Sequence, residues 1–117
     1  MKKEQKRLLS SLREKKRYVL FETISVIPIS STNIKENIIK SYKNLFGEIG
    51  LSKAGISFIE YKENKGILKI NNKYLDELRA SFCMMRKVNK QDILLKTLRI
   101  SGTLKKVKDL IFTGGES

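Results

Sequence analysis

Apolar side chains recur along the chain in a pattern that predicts four β-strands. The segment YVLFETISV, residues 18–26, is rich in β-branched and aromatic residues and is apolar on both faces except at Glu22, as is typical of a central strand. Residues 56–61 and 67–71 are two short β-prone runs joined by a polar loop, which predicts a hairpin. Residues 93–100 predict the last strand.

Helical spacing of apolar residues separates these strands. Asn33 followed by Glu36 indicates the start of a first helix, which we expect to end by Gly47 or Gly50. Its apolar positions are Ile34, Ile38, Tyr42, Leu45 and Ile49. A second helix, which we expect to stop between Arg86 and Asn89, has its apolar face at Tyr74, Leu75, Leu78, Phe82 and Met85. A short C-terminal helix follows, with Leu104, Val107, Leu110 and Ile111 on one side.

The element order is therefore βαββαβ with a C-terminal helix, which is the α+β, ferredoxin-like (RRM-like) arrangement. Right-handed crossovers place both long helices on one face of a four-stranded antiparallel sheet, so we expect the opposite face to be free for a partner. We divide the chain into a basic N-terminal arm (1–16), a ferredoxin-like domain (17–112) and a flexible tail (113–117).

The charge balance indicates a polyanionic partner. The chain of 117 residues has 25 Lys and Arg against 12 Asp and Glu, a formal net charge of +13. Nucleic acid relieves the repulsion among these cations by releasing its condensed counterions. No apolar run approaches the roughly 20 residues of a membrane-spanning helix, and the start of the chain does not resemble a signal peptide. We therefore expect a cytoplasmic protein.

The composition argues against catalysis by this chain. Histidine, the side chain most often used for acid–base chemistry near neutral pH, is absent. Cys83 is the single cysteine, so no internal disulfide or thiolate zinc site can form, and we expect it to be a small packing residue. We expect no catalytic residue, metal or other cofactor on the protein. Glu22, inside an apolar strand, is expected to form a structural ion pair.

Two segments are candidate phosphate contacts. Residues 1–17 contain eight basic and two acidic residues and end in Lys15-Lys16-Arg17. The segment SGTLKK, residues 101–106, joins a strand to a helix, where free backbone N–H groups, the helix dipole and two lysines favour an anion. The alternative for this segment is ordinary N-capping by Ser101 or Thr103, and the two roles are compatible.

A third segment, beginning Lys65-Gly66, has the first two residues of an RNA-recognition motif on the third strand. The aromatic residues that stack on bases in that motif are missing. We therefore expect recognition of RNA shape and phosphates rather than base stacking on the sheet.

Three stretches in this order resemble the archaeal ribonuclease P protein component 2 family, which has eukaryotic relatives. They are LREKKRYVLFE (12–22), GILKINNKYLDELR (66–79) and LRISGTLKKVK (98–108). The family fold is similar to the ferredoxin-like arrangement. Two departures are Lys69, where relatives often have Arg, and Asn72, where they often have His or Arg.

The resemblance implies a protein subunit of a ribozyme that removes the 5′ leader from precursor tRNA, with the RNA and its magnesium ions performing the cleavage. It implies as partners ribonuclease P RNA, precursor tRNA, the TIM-barrel protein component 3 and a second copy of the chain in a heterotetramer, with no membrane partner. Matched to the family's basic motifs, the expected RNA-binding residues are Arg13, Lys15, Lys16, Arg17, Lys69, Lys73, Arg79, Lys105 and Lys106.

Two other functions remain open at this point. One is a different protein that binds structured RNA, such as a ribosomal or tRNA-associated component. The other is a small acylphosphatase-like enzyme, because a fold does not fix a function. That enzyme would need an Arg in the loop before the first helix, and the loop IPISSTN, residues 27–33, has none.

Overall fold

A computed structural model describes the backbone of residues 15–113 and the side chains up to Leu110. Most of the predicted arm, including Arg13, and most of the predicted tail lie outside the described residues. A short 3₁₀ turn, Asn72–Tyr74, precedes the second helix. The other elements are β1 (Lys16–Ser25), α1 (Ser31–Ala54), β2 (Ser57–Lys62), β3 (Lys65–Asn71), α2 (Leu75–Met84), β4 (Lys87–Val88), β5 (Gln91–Ser101) and α3 (Leu104–Thr113).

The α+β fold is confirmed, but the sheet has five strands rather than the predicted four. Their order is β2-β3-β1-β5-β4, and every neighbouring pair is antiparallel. The long strand β1 lies at the centre, paired with β3 on one side and with β5 on the other. None of the described helices is long and apolar enough to cross a membrane.

The additional strand β4 arises because α2 ends at Met84, earlier than predicted. Met85 is extended, and Val88 is buried against the core. Asn89 and Lys90 then take φ values of 53° and 67°. Positive φ at both central residues is the geometry of the type I′ turn, which matches the twist of a two-residue hairpin. Such a short strand has no periodicity that could be detected in the sequence.

The β2–β3 hairpin is confirmed, although its turn is tighter than the five-residue loop expected from the sequence. Glu63 and Asn64 form the whole turn, with φ values of 51° and 68°. Gly66 follows in β3, where its Cα lies opposite Phe21 of β1 and Tyr61 of β2. A β-carbon on Gly66 would collide with Cζ of the Phe21 ring, so the aromatic packing here requires glycine.

The main core lies between one face of the sheet and the helices α1 and α2, as predicted. Val19 and Phe21 project from β1 into this layer. The predicted helix faces supply Ile34, Ile38 and Tyr42 from α1, and Leu78 and Phe82 from α2, all buried. Met85 is buried in the core, whereas Met84 is exposed on the surface beside it.

The N-cap of α1 differs from the prediction, and a second helical segment follows its predicted end. The N-cap is Ser30, whose hydroxyl accepts a hydrogen bond from the Asn33 N–H at 3.3 Å. Gly47, with φ 77° and ψ 174°, is not helical and ends the first helical segment where the sequence predicted, but a second segment follows the kink as far as Ala54 and is capped by the left-handed Gly55. After the kink, the predicted apolar position Ile49 turns to solvent and is 74% exposed. Leu45, before the kink, is also 41% exposed, so two of the predicted core positions are wrong, whereas Leu51 and Ala54 after the kink pack against the core.

The opposite face of the sheet is not free, contrary to the expectation from the sequence. Helix α3 packs across it, and Val107 forms a second buried cluster with Leu20 of β1 and Ile67 of β3. Val19 and Phe21, the neighbours of Leu20 in β1, point into the main core, because successive side chains of a strand point to opposite faces. The uncovered remainder of this face includes Ile24 and Leu94, which are cross-strand partners and both exposed.

A candidate basic RNA-binding edge

The ends of three strands meet at one end of the sheet. Lys16 at the start of β1 is the partner of Asn71 at the end of β3, and Tyr18 is the partner of Ser101 at the end of β5. This convergence follows from antiparallel pairing, in which the start of one strand lies beside the end of its neighbour. Basic segments that are distant in the sequence therefore become neighbours in the fold.

Arg17 and the start of α3 are in contact. The guanidinium Nη1 of Arg17 lies 3.2 Å from the position that a β-carbon would occupy on Gly102, and Cζ lies 3.9 Å from it. Arg17 also donates a hydrogen bond from Nη1 to the carbonyl of Lys16 at 3.3 Å. The absence of a side chain at Gly102 allows the guanidinium to approach the strand–helix junction. The structure thus joins the two candidate phosphate segments that the sequence indicated separately.

The junction between β5 and α3 presents backbone N–H groups and lysines together. The Ser101 hydroxyl accepts a hydrogen bond from the Thr103 N–H at 3.2 Å, which forms a turn just before the helix and is not the predicted N-cap bond to a helical N–H. The N–H groups of the first helical turn have no partner within the helix and form its positive end. Lys105 and Lys106 lie in that first turn, and both are exposed. This turn is compatible with anion binding at the start of the helix.

The 3₁₀ turn after β3 brings another lysine to the same end. The Asn72 N–H donates to the carbonyl of Lys15 at 2.7 Å, and this bond ties the turn to the chain just before β1. Asn71 is fully buried, and its Oδ1 accepts a hydrogen bond from the Lys73 N–H at 3.2 Å. Asn71 therefore fixes the backbone that carries Lys73, a positioning role that the sequence analysis did not identify.

Lys16 has a structural neighbour as well. Its Nζ lies 2.9 Å from the position of a β-carbon on Gly55, the residue that ends α1. The carbonyl end of a helix carries partial negative charge, so an ammonium group here is favourable. Lys16 is exposed and so combines this contact with access to solvent.

Lys69 lies on the same face of the sheet as Ser101. Lys69, Tyr18 and Ser101 are successive cross-strand partners on β3, β1 and β5. Adjacent strands are about 4.8 Å apart, so Lys69 lies roughly 10 Å from Ser101. We define the basic edge by the seven cations that meet at this end of the sheet: Lys15, Lys16, Arg17, Lys69, Lys73, Lys105 and Lys106.

Two of the predicted RNA-binding residues are not part of this edge. Arg13 lies outside the described residues. Arg79 is exposed on α2 and lines a separate groove between α2 and β5, together with Arg99, a cation that the sequence analysis did not single out. Alternation along β5 would have assigned Arg99 to the same side as the buried Ile93 and Leu95; the bulge at Leu98 makes Leu98 and Arg99 both exposed, and the sequence pattern does not reveal that bulge.

The remaining candidate residues have no place in this edge. Glu22 stands in register between Lys65 of β3 and Lys96 of β5, but it forms no ion pair within 4.0 Å with a described residue, so the predicted structural ion pair is not found. Cys83 is exposed, so the expectation that it packs inside the protein is wrong. Helix α3 covers Leu20 and Ile67 near the centre of the face on which RNA-recognition motifs stack bases.

The fold and the clustered cations define a small α+β protein whose charged surface is suited to a polyanion. The model of the Rpp14/Pop5 family matches residues 17–112, and the chain belongs to that family.

Named relatives agree with this membership. The chain is 38% identical to ribonuclease P protein component 2 of Methanosarcina acetivorans over 89% of this chain and 79% of the relative. It is 31% identical to the protein of the same name from Thermococcus kodakarensis over 92% of each. A chain in the cryo-EM structure of yeast ribonuclease MRP has a similar fold, with a TM-score of 0.65 and 14% identity over 83% of this chain and 91% of that one.

Proposed function

We propose that this protein is an RNA-binding subunit of ribonuclease P and that its basic edge contacts the phosphates of structured RNA. Membership of a family whose relatives are named ribonuclease P components supports the first part. The observation that carries the second part is the contact of Arg17 with Gly102, because it unites the start of β1 with the start of α3.

Phosphate recognition suits the chemistry of the edge. Its seven residues are cations, and the neighbouring amides of the first turn of α3 point their N–H groups outward. An arginine can bind a phosphate with two parallel hydrogen bonds, whereas a lysine acts as a mobile point charge. The combination favours shape-dependent binding to folded RNA over reading of base sequence.

In this proposal the chain supplies contacts and the RNA supplies catalysis. The RNA holds the magnesium ions and cleaves the 5′ leader of precursor tRNA, while the protein screens phosphate repulsion and stabilises the active RNA fold. A TIM-barrel component 3 and a second copy of this chain are the proposed protein partners. We place the assembly in the cytoplasm.

Reconstituted cleavage tests the proposal. The full chain is added, with component 3, to the cognate ribonuclease P RNA, and cleavage of precursor tRNA is followed as magnesium is lowered. We expect activity at magnesium concentrations where the RNA alone is inactive, and no cleavage by the protein alone. A magnesium requirement unchanged by the protein would contradict the proposal.

The edge itself is tested in the same assay with Lys105→Gln combined with Lys106→Gln. The matched control combines Lys40→Gln with Lys90→Gln, two exposed lysines outside the basic edge, so that both variants lose the same charge. We expect the magnesium requirement to rise for the first variant and to stay near the wild-type value for the control. Equal effects of both variants would mean that only the total charge matters.

A further inference from the structure

The strand β5 has one side that is mostly unpaired. On one side, β5 pairs with β1 through residues from Ile93 to Ser101. On its other side, only Gln91 and Asp92 of β5 pair with β4. One more bond, from the Ile93 N–H to the carbonyl of Arg86 at 2.9 Å, extends the β4 ladder. Within residues 15–113, no further strand pairs with this side of β5.

The direction of the free backbone groups follows from that last bond. Hydrogen-bonding direction alternates along a strand, so Leu95 and Thr97 point their N–H and C=O groups to the same side as Ile93. The register then shifts at Leu98, an extra residue opposite the Leu20–Phe21 step of β1. The free ladder is therefore short and ends at this bulge, with two residues able to exchange hydrogen bonds with a new strand.

A groove runs beside this free edge. It has a volume of about 630 Å³ and lies between α2 and residues 95–100 of β5. Phe82 of α2 and Leu95 of β5, both largely buried, contribute apolar surface to it. Alternate side chains of a strand added to β5 would point toward this groove, because side chains alternate between the two faces of a sheet.

The charges around the groove indicate the chemistry of its occupant. Arg79, Lys96 and Arg99 contribute to the lining, and no acidic residue does. Residues 1–14 of the chain contain five basic and two acidic residues, so their sign does not complement this surface. A partner segment with carboxylates has the complementary charge.

Charged residues and a bulge on an edge strand can also serve only to prevent aggregation. That explanation accounts for Lys96 and Arg99 but not for an apolar groove next to free backbone donors and acceptors. RNA would satisfy the cations, yet its phosphates do not match paired N–H and C=O groups along an extended strand. A peptide strand matches the cations, the backbone groups and the apolar surface together.

We propose that the free edge of β5 binds an extended segment of a protein partner, in which acidic and apolar residues alternate, by adding a strand to the sheet. Apolar side chains of the segment lie in the groove beside Phe82, and its carboxylates, on the other face of the added strand, face Lys96 or Arg99. This surface is separate from the basic edge, so the proposal does not depend on the proposed RNA function.

The probe is a fluorescent peptide of about eight residues in which Glu and Val alternate, a length that spans the free ladder. It is titrated into the full chain, beside a peptide in which Lys replaces each Glu. Amide hydrogen exchange is followed at Leu95 and Thr97 with and without the peptide. We expect binding of the acidic peptide only, together with slower exchange at both amides.

Two variants of Thr97 separate the backbone contact from general effects. Thr97→Pro removes the outward N–H at an edge position where proline is tolerated. Thr97→Val keeps the N–H and the side-chain shape. We expect Thr97→Pro to weaken peptide binding by roughly tenfold, about the loss of one hydrogen bond with its partner left unsatisfied, and Thr97→Val to bind like wild type. If Thr97→Pro melts early, the exchange experiment on the wild-type chain decides alone.

Three results would overturn the proposal. The first is peptide binding without protection of the Leu95 and Thr97 amides. The second is protection of those amides by RNA and not by the peptide, which would assign the groove to RNA. The third is protection already present in the free protein that disappears when residues 1–14 are deleted, which would mean that the chain covers its own edge.

Discussion

The guanidinium group of Arg17 lies against the backbone of Gly102, with Nη1 3.2 Å from the position of an absent β-carbon. The contact links the first residues of the central strand to the strand–helix junction near the C-terminus. Arg17 is half-buried, so its orientation is limited by its surroundings rather than by solvent alone. A cation that is held in place loses less conformational entropy when it binds a phosphate than a free side chain does.

Arg17→Gln should weaken RNA binding with little loss of stability. Removing one phosphate contact should lower the slope of log affinity against log salt by a little under one unit. The free energy of unfolding should change by less than about 1 kcal/mol, because no core packing is lost. RNA titrations at several salt concentrations and thermal melts measure both quantities. The control is Arg86→Gln. Arg86 is exposed, follows the C-terminal end of α2 and lies outside the basic edge, so this variant should keep the wild-type slope.

Leu78→Ala should have the opposite profile. Leu78 is 1% exposed in the core between α2 and the sheet, and truncation of a buried leucine costs about 2 to 5 kcal/mol. We expect a large drop in melting temperature, with an unchanged salt slope for the fraction that remains folded. A small change in stability would mean that α2 does not pack as described.

Gly66→Ala should destabilise the fold through a steric conflict with the Phe21 ring and a smaller one with the Tyr61 ring. The added methyl group would overlap Cζ of Phe21 and lie 2.9 Å from Cδ2 of Tyr61, and overpacking of this kind costs about 1 to 3 kcal/mol. Denaturant unfolding of Gly66→Ala, Phe21→Leu and the double variant measures the coupling. We expect the double variant to be more stable than the sum of the single changes predicts, because the smaller side chain makes room for the methyl group. Simple additivity would rule out the contact as the cause.

Tyr42 should make stability depend on pH in the alkaline range. Burial, with smaller contributions from the charges of Glu77 and Tyr74, raises the pKa of Tyr42 from 10.0 to about 12. Between these values the unfolded chain releases this proton and the folded chain keeps it. The free energy of unfolding therefore falls as pH rises through this window, by up to ~1.4 kcal/mol per pH unit.

The matched variant is Tyr42→Phe, which lacks the ionisable group. The Tyr42 hydroxyl has no hydrogen-bond partner among the described residues, so its removal should leave stability at neutral pH unchanged within about 1 kcal/mol or increase it. We expect the difference in unfolding free energy, wild type minus variant, to fall from pH 10 to pH 12. A difference that stays constant across this range would show that Tyr42 ionises equally in both states.

The sequence predicted the elements that have long, regular apolar patterns. Val19 and Phe21 in β1, and Leu78 and Phe82 in α2, lie in the core as their spacing indicated. The strand β4 was missed because two residues carry no periodicity, and its turn at Asn89 and Lys90 lacks the glycine that usually marks a type I′ hairpin.

Other differences come from long-range packing. Gly47 interrupts α1 where the sequence predicted the helix to end, but a second helical segment follows, and the packing of Leu51 and Ala54 against the core could not be recognised from the local pattern. Helix α3 packs on the face of the sheet that carries Leu20 and Ile67. Alternation along β1 shows that β1 has two apolar faces but does not reveal which helix covers each of them.

The residues of the basic edge were individually visible as Lys and Arg, but their proximity was not. Arg17 and Lys105 are separated by most of the chain, and the antiparallel pairing of β1 with β5 brings their segments together. Arg79 had the same appearance in the sequence and lies on another surface, beside the groove. Charge and spacing identified candidate cations, and only the sheet topology could sort them.

The most direct test of the central claim is to identify the RNA that the protein holds in its own cell. The tagged full chain is purified from its host under conditions that preserve complexes, and the bound RNA is sequenced, in parallel with a variant that combines Arg17→Gln, Lys105→Gln and Lys106→Gln. We predict strong enrichment of ribonuclease P RNA with the wild-type chain and reduced recovery of that RNA with the variant. Enrichment of ribosomal RNA in its place, or the absence of any enriched structured RNA, would contradict the assignment of this protein to ribonuclease P.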